Sequence, residues 1–281
     1  MNANSSPQKP KTIGQWLKEA TRALEGANIG TARLDALVLL QDALEKDKSW
    51  ILAHSETRLR DLDVATLDTQ LTQRLQHFPL AYVRGKTEFY GRDFLLNHDV
   101  LEPRPESETM IELIKTISDP RPWNITDVGT GSGAIAITAK LEFPESTVSA
   151  TDIDPNCLEL ARKNAKKHTV DIRFYHGNLL EPFLASEFRI PTSVLLANLP
   201  CVPDHYQLND AAMMEPRVAI FGCSDGLDLY RQLFTQLDTH KANYVLTESL
   251  PFQHDELRAI ATEHGYTEQA EDDFIQLFKR S

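Results

Sequence analysis

The apolar positions change period once along the chain. From residue 11 to about residue 78 they recur at helical spacing. Ile13, Trp16, Leu17, Ala20 and Leu24 form one stripe, and Leu34, Leu37, Val38 and Leu44 form a second. Gly26 and Gly30 mark the break between them. Trp50, Ile51 and Leu52 predict a short third helix. Leu62, Leu67, Leu71 and Leu75 predict a fourth, stopped by Pro79. No strand alternation interrupts this stretch, so residues 1–80 are expected to form a helical bundle. In residues 81–104 the character changes. Phe89-Tyr90-Gly91-Arg92-Asp93-Phe94 sets aromatics about a glycine turn, as in a β-hairpin, here expected to link two domains.

Residues 105–281 alternate between the two periods. Helices are expected over Glu106–Ile117, Ser132–Leu141, Pro155–Lys167, Asp225–Leu237 and Asp255–His264. Strands are expected over Trp123–Val128, Thr147–Asp152, Asp171–His176, Thr192–Ala197, Ala242–Thr247 and Phe274–Phe278. Strands separated by helices imply an α/β fold with a doubly wound, mostly parallel sheet. Tyr266 and Thr267 followed by Phe274–Phe278 read as a closing antiparallel hairpin.

Two places in this pattern carry chemistry. Asp127-Val128-Gly129-Thr130-Gly131-Ser132-Gly133 lies between a strand and a helix, where glycines allow a tight turn and close approach of a ligand to the backbone. Asp152 ends the next strand, 21 residues after Gly131, where a carboxylate can accept hydrogen bonds from both hydroxyls of a ribose. Together they describe a nucleoside-cofactor pocket. Gly129, Gly131 and Ala134 also fit a dinucleotide fingerprint, so a nicotinamide cofactor is a rival. Asp127 argues for S-adenosylmethionine instead: its carboxylate suits an ammonium group and repels a pyrophosphate. The closing hairpin likewise suits the class I methyltransferase sheet.

The second place is Asn198-Leu199-Pro200-Cys201, at the end of a buried strand. A side-chain carbonyl there, with neighbouring backbone carbonyls, can hold a planar NH2 group. Acceptors that draw its hydrogens out of plane localise the nitrogen lone pair, a matter of positioning and electrostatics with no strong base.

Composition narrows the field. The 281 residues are 41% apolar and 25% charged, a globular balance. The net charge of −12 falls wholly on residues 101–281, which makes direct nucleic-acid binding unexpected. Cys157, Cys201 and Cys223 form no CxxC pair, and the histidines show no metal-ligand spacing, so neither a disulfide framework nor a metal site is expected. No signal-peptide pattern or membrane-length apolar run is visible, and the expected location is the cytoplasm.

The chain resembles the protein-(glutamine-N5) methyltransferases that modify bacterial peptide chain release factors. The likeness runs through Thr31-Ala32-Arg33-Leu34-Asp35-Ala36, Leu80-Ala81-Tyr82-Val83-Arg84-Gly85, Phe89-Tyr90-Gly91 and Pro103-Arg104-Pro105-Glu106-Ser107-Glu108. It continues through the glycine loop to Glu215-Pro216-Arg217 and Asp225-Gly226-Leu227-Asp228-Leu229-Tyr230. The resemblance implies methyl transfer from S-adenosylmethionine to the glutamine amide of a Gly-Gly-Gln segment. It implies a helical docking domain, Gly129–Gly133 at the cofactor's methionine end, Asp152 at its ribose, and Asn178 and Leu179 near its adenine. Asn198 to Cys201 would hold the glutamine, with Pro200 part of the catalytic turn and Arg104 on the substrate side. The family's turn reads Asn-Pro-Pro-Tyr. Leu199 for the first proline frees one φ angle, and Cys201 removes an aromatic face that Tyr206 would have to supply. Two alternatives follow: a retuned or inactive paralogue, or an enzyme methylating an exocyclic amine of a nucleic-acid base.

Overall fold

The computed structural model describes residues 11–120, 122–184, 192–208 and 212–281. They group into a helical unit up to Gly85 and an α/β unit beginning at Lys86.

The helical unit comprises α1 (Ile13–Gly26), α2 (Ala32–Leu44), α3 (Lys48–Ala53), α4 (Asp61–Leu75) and α5 (Leu80–Arg84). Thr12 starts α1 with a capping box: its hydroxyl accepts from the Gln15 amide, and Gln15 accepts from the Thr12 amide. The α1 stripe falls as its spacing predicts, with Ile13, Trp16, Leu17, Ala20 and Leu24 all buried. The second and fourth stripes need correction. Leu34 is 54% exposed and Leu62 74%, while Ala36, Leu37, Leu39 and Leu40 form the inner face of α2. The reason is a buried ion pair. Asp35 of α2 is buried and accepts from Arg74 of α4 at 2.7 Å, so a charged residue occupies an inward position and the apolar pattern shifts around it; in α4 the buried Asp63, paired with Arg60 at 2.7 Å, does the same beside Leu62. Arg84 at the end of α5 pairs similarly with Asp42 at 2.6 Å.

The α/β unit opens with the hairpin β1 (Lys86–Phe89) and β2 (Arg92–Leu95), antiparallel with Phe89 opposite Arg92. Expected as a linker, this hairpin groups with the sheet domain and buries Phe89 and Phe94 in its core. The remaining elements are α6 (Glu108–Thr116), β3 (Asn124–Val128), α7 (Ala134–Glu142), β4 (Thr147–Asp152), α8 (Pro155–Lys167), β5 (Arg173–His176) and α9 (Glu181–Leu184). After them come β6 (Thr192–Ala197), α10 (Asp228–Leu237), β7 (Ala242–Glu248), α11 (His254–Glu263), β8 (Tyr266–Asp272) and β9 (Ile275–Arg280).

The seven strands lie in the order β5-β4-β3-β6-β7-β9-β8. All neighbours are parallel except those involving β9, which runs antiparallel to β7 and β8. This is the doubly wound, mostly parallel sheet with a closing hairpin that the periodicity predicted. Alternation along each strand divides the core into two layers. Val194 and Leu196 pack with Ile111, Ile114 and Ile137 on one face, while Leu195 and Ala197 pack with Tyr230, Phe234 and Leu257 on the other. Burial on both faces explains why β6 reads as a continuous apolar run. Among the described residues no helix is long and apolar enough to cross a membrane.

The corrected stripe yields a direct test by thermal or urea denaturation. Leu40→Ala, at a fully buried position, should destabilise the protein by about 2–5 kcal/mol. Leu34→Ser should change stability by no more than about 0.5 kcal/mol.

Candidate active site

In an open parallel sheet, the crevice for a ligand lies beyond the carboxyl ends of the strands, where the winding reverses. Here that point falls between β3 and β6, with Val128 paired to Ala197. The glycine loop leaves β3 on one side and the Asn198 turn leaves β6 on the other. A cavity lies between them, walled by Gly129, Gly131, Asp152, Asn178, Leu179, Asn198, Leu199 and Pro200 from the sequence-predicted set.

The loop's shape follows from its glycines and its acids. Gly129 has φ of 71°, and a Cβ there would meet the Leu199 side chain at 3.1 Å. The amides of Gly129 and Thr130 both donate to the Thr151 carbonyl, and the Gly131 amide donates to Asp152 Oδ2 at 2.8 Å. The other Asp152 oxygen accepts from the Asp154 amide at 2.9 Å. Asp152 thus joins the loop to the end of β4 while still facing the cavity. Burial holds its carboxyl above the ordinary range.

Asp127 lies beneath the loop, fully enclosed, and accepts from the Thr130 hydroxyl at 2.6 Å. Burial raises its carboxyl to about 7, against the opposing pull of the Thr130 hydroxyl and the Ala136 amide. Asp127, Thr130, Ser132 and Gly133 are therefore the loop's framework, and Gly129 and Gly131 its exposed lip. Asn164 of α8 completes the frame. Its Nδ2 donates to the carbonyls of Ser132 and Leu95, and its Oδ1 accepts from the Leu95 amide.

Across the cavity, the Asn198 turn is fixed from several directions. The Leu199 amide donates to Tyr230 Oη at 3.2 Å, and its side chain is buried against Gly129. Gln253 Nε2 lies 2.7 Å from both the Cys201 and the Asp225 carbonyls. Gly226 sits so close that a Cβ there would stand 1.9 Å from the Cys201 carbonyl oxygen. Tertiary contacts supply the stiffness that the missing proline does not. The Ala197 and Cys201 carbonyls already accept from Tyr230 and Gln253, which leaves the carbonyls between them as the candidates to meet a ligand.

The Cys201 thiol is pushed up to about 12, chiefly by burial, which makes it a poor nucleophile near neutral pH. Tyr206 is exposed and stacks on Phe252, and neither ring is among the cavity-lining residues.

Arg104 donates to the buried carboxylate of Glu215 at 2.6 Å. Glu215 also accepts from the Glu102 amide, so this pair ties the segment before α6 to the loop after β6. Asn198 itself is half-buried on the cavity wall. Its Nδ2 donates to Ser107 Oγ at 2.9 Å, and Ser107 Oγ donates to Glu248 Oε2 at 2.5 Å. Among the described residues no group of three or more His, Cys, Asp or Glu side chains could hold a metal ion.

Sequence reasoning did not single out Ile153, Cys157, Val218 or Leu229, which also line the cavity. Ile153 is 62% exposed directly after the strand-end acid. An isoleucine following an acid at a strand end was the available signal. Glu248 and Gln253 gave no local signal, and Ser107, though inside the Pro103–Glu108 segment that carries the resemblance, meets the site through the fold alone.

Two family models match the chain: the PrmC N-terminal domain over residues 15–85 and the methyltransferase small domain over residues 107–205. A release factor glutamine methyltransferase of Koribacter versatilis is 35% identical over 235 residues, covering 82% of each chain. One from Coxiella burnetii is 32% identical, covering 94% of this chain and 92% of its own. A bifunctional methyltransferase of Rickettsia bellii is 29% identical over 91% of this chain, which spans about half (51%) of that protein's length. Among solved structures, a 16S rRNA methyltransferase of T. thermophilus shares the fold, with a TM-score of 0.52 at 14% identity over 70% of this chain and 49% of its own. By this likeness the chain belongs to the release factor glutamine methyltransferase family.

Proposed function

We propose that this enzyme methylates the side-chain amide nitrogen of the glutamine in a Gly-Gly-Gln segment of a peptide chain release factor. The observation that carries the reading is Asn198. It stands half-buried at the end of β6 on the wall of a glycine-loop cavity, with its Nδ2 already committed to Ser107. The carbonyl Oδ1 is then the end presented to a substrate, and the group it suits is a hydrogen-bond donor such as an amide NH2.

The methyl donor is S-adenosylmethionine, which when bound supplies an electrophilic methyl group on a sulfonium. The cavity fits it. Asp152 offers remaining lone pairs beside a glycine lip, as a ribose diol requires, and Ile153 and Leu179 supply apolar walls for an adenine, with Asn178 at its edge. Asp127 would act from below, holding the loop through Thr130.

On the substrate side, Asn198 Oδ1 accepts one amide hydrogen and a turn carbonyl takes the other. Leu199 and Pro200 shape the floor, and the Cys201 carbonyl is retained by Gln253. Drawing both hydrogens toward fixed acceptors localises the nitrogen lone pair and aims it across the cavity. Arg104 supports this face through Glu215. The rigidity of the turn answers the loss of the first proline and supports an active enzyme: the Leu199 amide is held by Tyr230 and the Cys201 carbonyl by Gln253, while no ring from Tyr206 lines the cavity in place of the family's tyrosine.

Mass spectrometry tests the reading. Release factor incubated with enzyme and S-adenosylmethionine should gain one methyl on the Gly-Gly-Gln glutamine, and a Gly-Gly-Ala variant should gain none. An unmodified glutamine at saturating donor would refute it. Asn198→Ala should lower kcat/KM by about 10²–10³-fold, with cofactor affinity in calorimetry little changed. Asp152→Ala should weaken cofactor binding by roughly 10- to 100-fold, the worth of charge-assisted hydrogen bonds to a diol. Gly226→Ala should depress activity and melting temperature together, because a Cβ there displaces the Cys201 carbonyl.

A further inference from the structure

The segment Pro103-Arg104-Pro105-Glu106-Ser107 ends in one turn of 3-10 helix, and its last residue is buried against the active-site turn. The Ser107 amide donates to the Arg104 carbonyl at 3.1 Å, which places the side chain between Asn198 and Glu248. Glu248 ends β7, the strand beside β6, and its carboxylate is also buried. The three side chains form one connected set, Asn198 Nδ2 to Ser107 Oγ at 2.9 Å and Ser107 Oγ to Glu248 Oε2 at 2.5 Å, with the Asn198 amide also donating toward the Glu248 carboxyl, so that both neighbours demand the donating end of the carboxamide.

The direction of this chain is what matters. An ionised carboxylate can only accept, so it takes the Ser107 hydroxyl hydrogen. Ser107 Oγ is then left with lone pairs alone and can only accept from Asn198. A carboxamide has a donating end and an accepting end, and only the donating end satisfies Ser107. Asn198 Oδ1 is thereby turned away from Ser107, and among the described residues it has no hydrogen-bond partner.

We propose that Glu248 and Ser107 are positioning residues that fix the polarity of this hydrogen-bond chain and so hold the carbonyl of Asn198, not its amide, toward the substrate. The proposal rests on the reading of Asn198 as the acceptor of the substrate amide. A protonated Glu248 would itself donate to Ser107, freeing the serine hydrogen to meet Asn198 Oδ1 and allowing the carboxamide to turn over. Asn198 would then offer a donor where an acceptor is needed, and transfer would slow.

Glu248 is set to make this change in an ordinary pH range. Burial raises its carboxyl to about 7, offset by the hydrogen bonds from Ser107 and Asn198. The charged and titratable groups around it are Glu106, which raises it, Arg104, which lowers it, and the Cys201 thiol on the Asn198 turn. Tyr230 of α10 meets the Glu248 backbone carbonyl and not its carboxylate. The sign follows: the ionised, active arrangement prevails above the Glu248 midpoint and is lost as pH falls through it.

Two measurements on the full-length enzyme test the proposal. In the first, kcat for release factor is followed against pH in the wild type, Glu248→Gln, Ser107→Ala and the double variant. The wild type should lose kcat on the acid side with a midpoint near 7. Glu248→Gln, whose amide can donate to Ser107, should lower kcat by about 10- to 100-fold, leave KM for S-adenosylmethionine near its wild-type value, and abolish that acid limb. The double variant should be little worse than either single one. Wild-type kcat in Glu248→Gln, or an acid limb that persists in it, would overturn the proposal, the latter assigning the titration elsewhere.

The second measurement needs no substrate. The Asn198 side-chain amide resonances, assigned by their loss in Asn198→Ala, should titrate near 7 in the wild type and not in Glu248→Gln. Resonances that ignore both pH and the substitution would overturn the inference. If they respond as expected while release factor stays unmethylated, the functional reading fails and the polarity chain stands. Calorimetric binding of S-adenosylmethionine by each variant confirms that it is folded.

Discussion

β3 and β6 lie side by side, Val128 against Ala197, and the chain leaves them in opposite directions across the sheet. Backbone pairing ends there, so two loops must diverge and the space between them cannot be filled by either strand. The site follows from that constraint. One loop contributes backbone and glycine, and the other contributes a carboxamide. The sheet's parallel register keeps both within a small span, because Thr126, Asp127 and Val128 pair residue for residue with Leu195, Leu196 and Ala197.

The divergence places acids at the carboxyl edge, and each buried carboxylate holds a different part of the site. Asp127 holds the glycine loop through Thr130, Asp152 holds it through Gly131, and Glu248 reaches the opposite turn through Ser107. A buried carboxylate is costly unless hydrogen-bonded, and each of these is. Burial raises all three, most clearly Asp127 and Glu248 at about 7. For Asp127 and Glu248, protonation near neutral pH is therefore a property of the same packing that shapes the cavity. In the proposed reaction positioning and electrostatics supply the chemistry, with no part for the Cys201 thiol, held up at about 12.

The legible part of this architecture was local. The strand-loop-helix passage through Gly129–Gly133, the acid at the end of the next strand and the Asn198 turn are each specified within a few residues, and the alternation of helices and strands fixed the sheet's character. What local pattern could not show was tertiary. Ser107 meets Glu248 across 141 positions, Arg104 meets Glu215 across 111, and Gln253 reaches the Cys201 carbonyl across 52. The helical unit shows the converse error. Leu34 and Leu62 look like core residues by period, yet face outward, because the acid next to each takes the inward position, Asp35 paired with Arg74 and Asp63 paired with Arg60. Hydrophobic period assumes that inward means apolar, and a buried charge pair breaks the assumption. Leu199 likewise read as loosening the turn, where Tyr230, Gln253 and Gly226 in fact clamp it.

The proposed reaction turns on a carboxamide whose carbonyl would face the substrate amide across the cavity. A crystal structure of the enzyme with S-adenosylhomocysteine and a Gly-Gly-Gln peptide measures that arrangement directly. The peptide glutamine should lie with its NH2 within hydrogen-bond distance of Asn198 Oδ1, with Asn198 Nδ2 still on Ser107. A glutamine bound elsewhere, or an Asn198 carboxamide turned to give its nitrogen to the peptide, would contradict it.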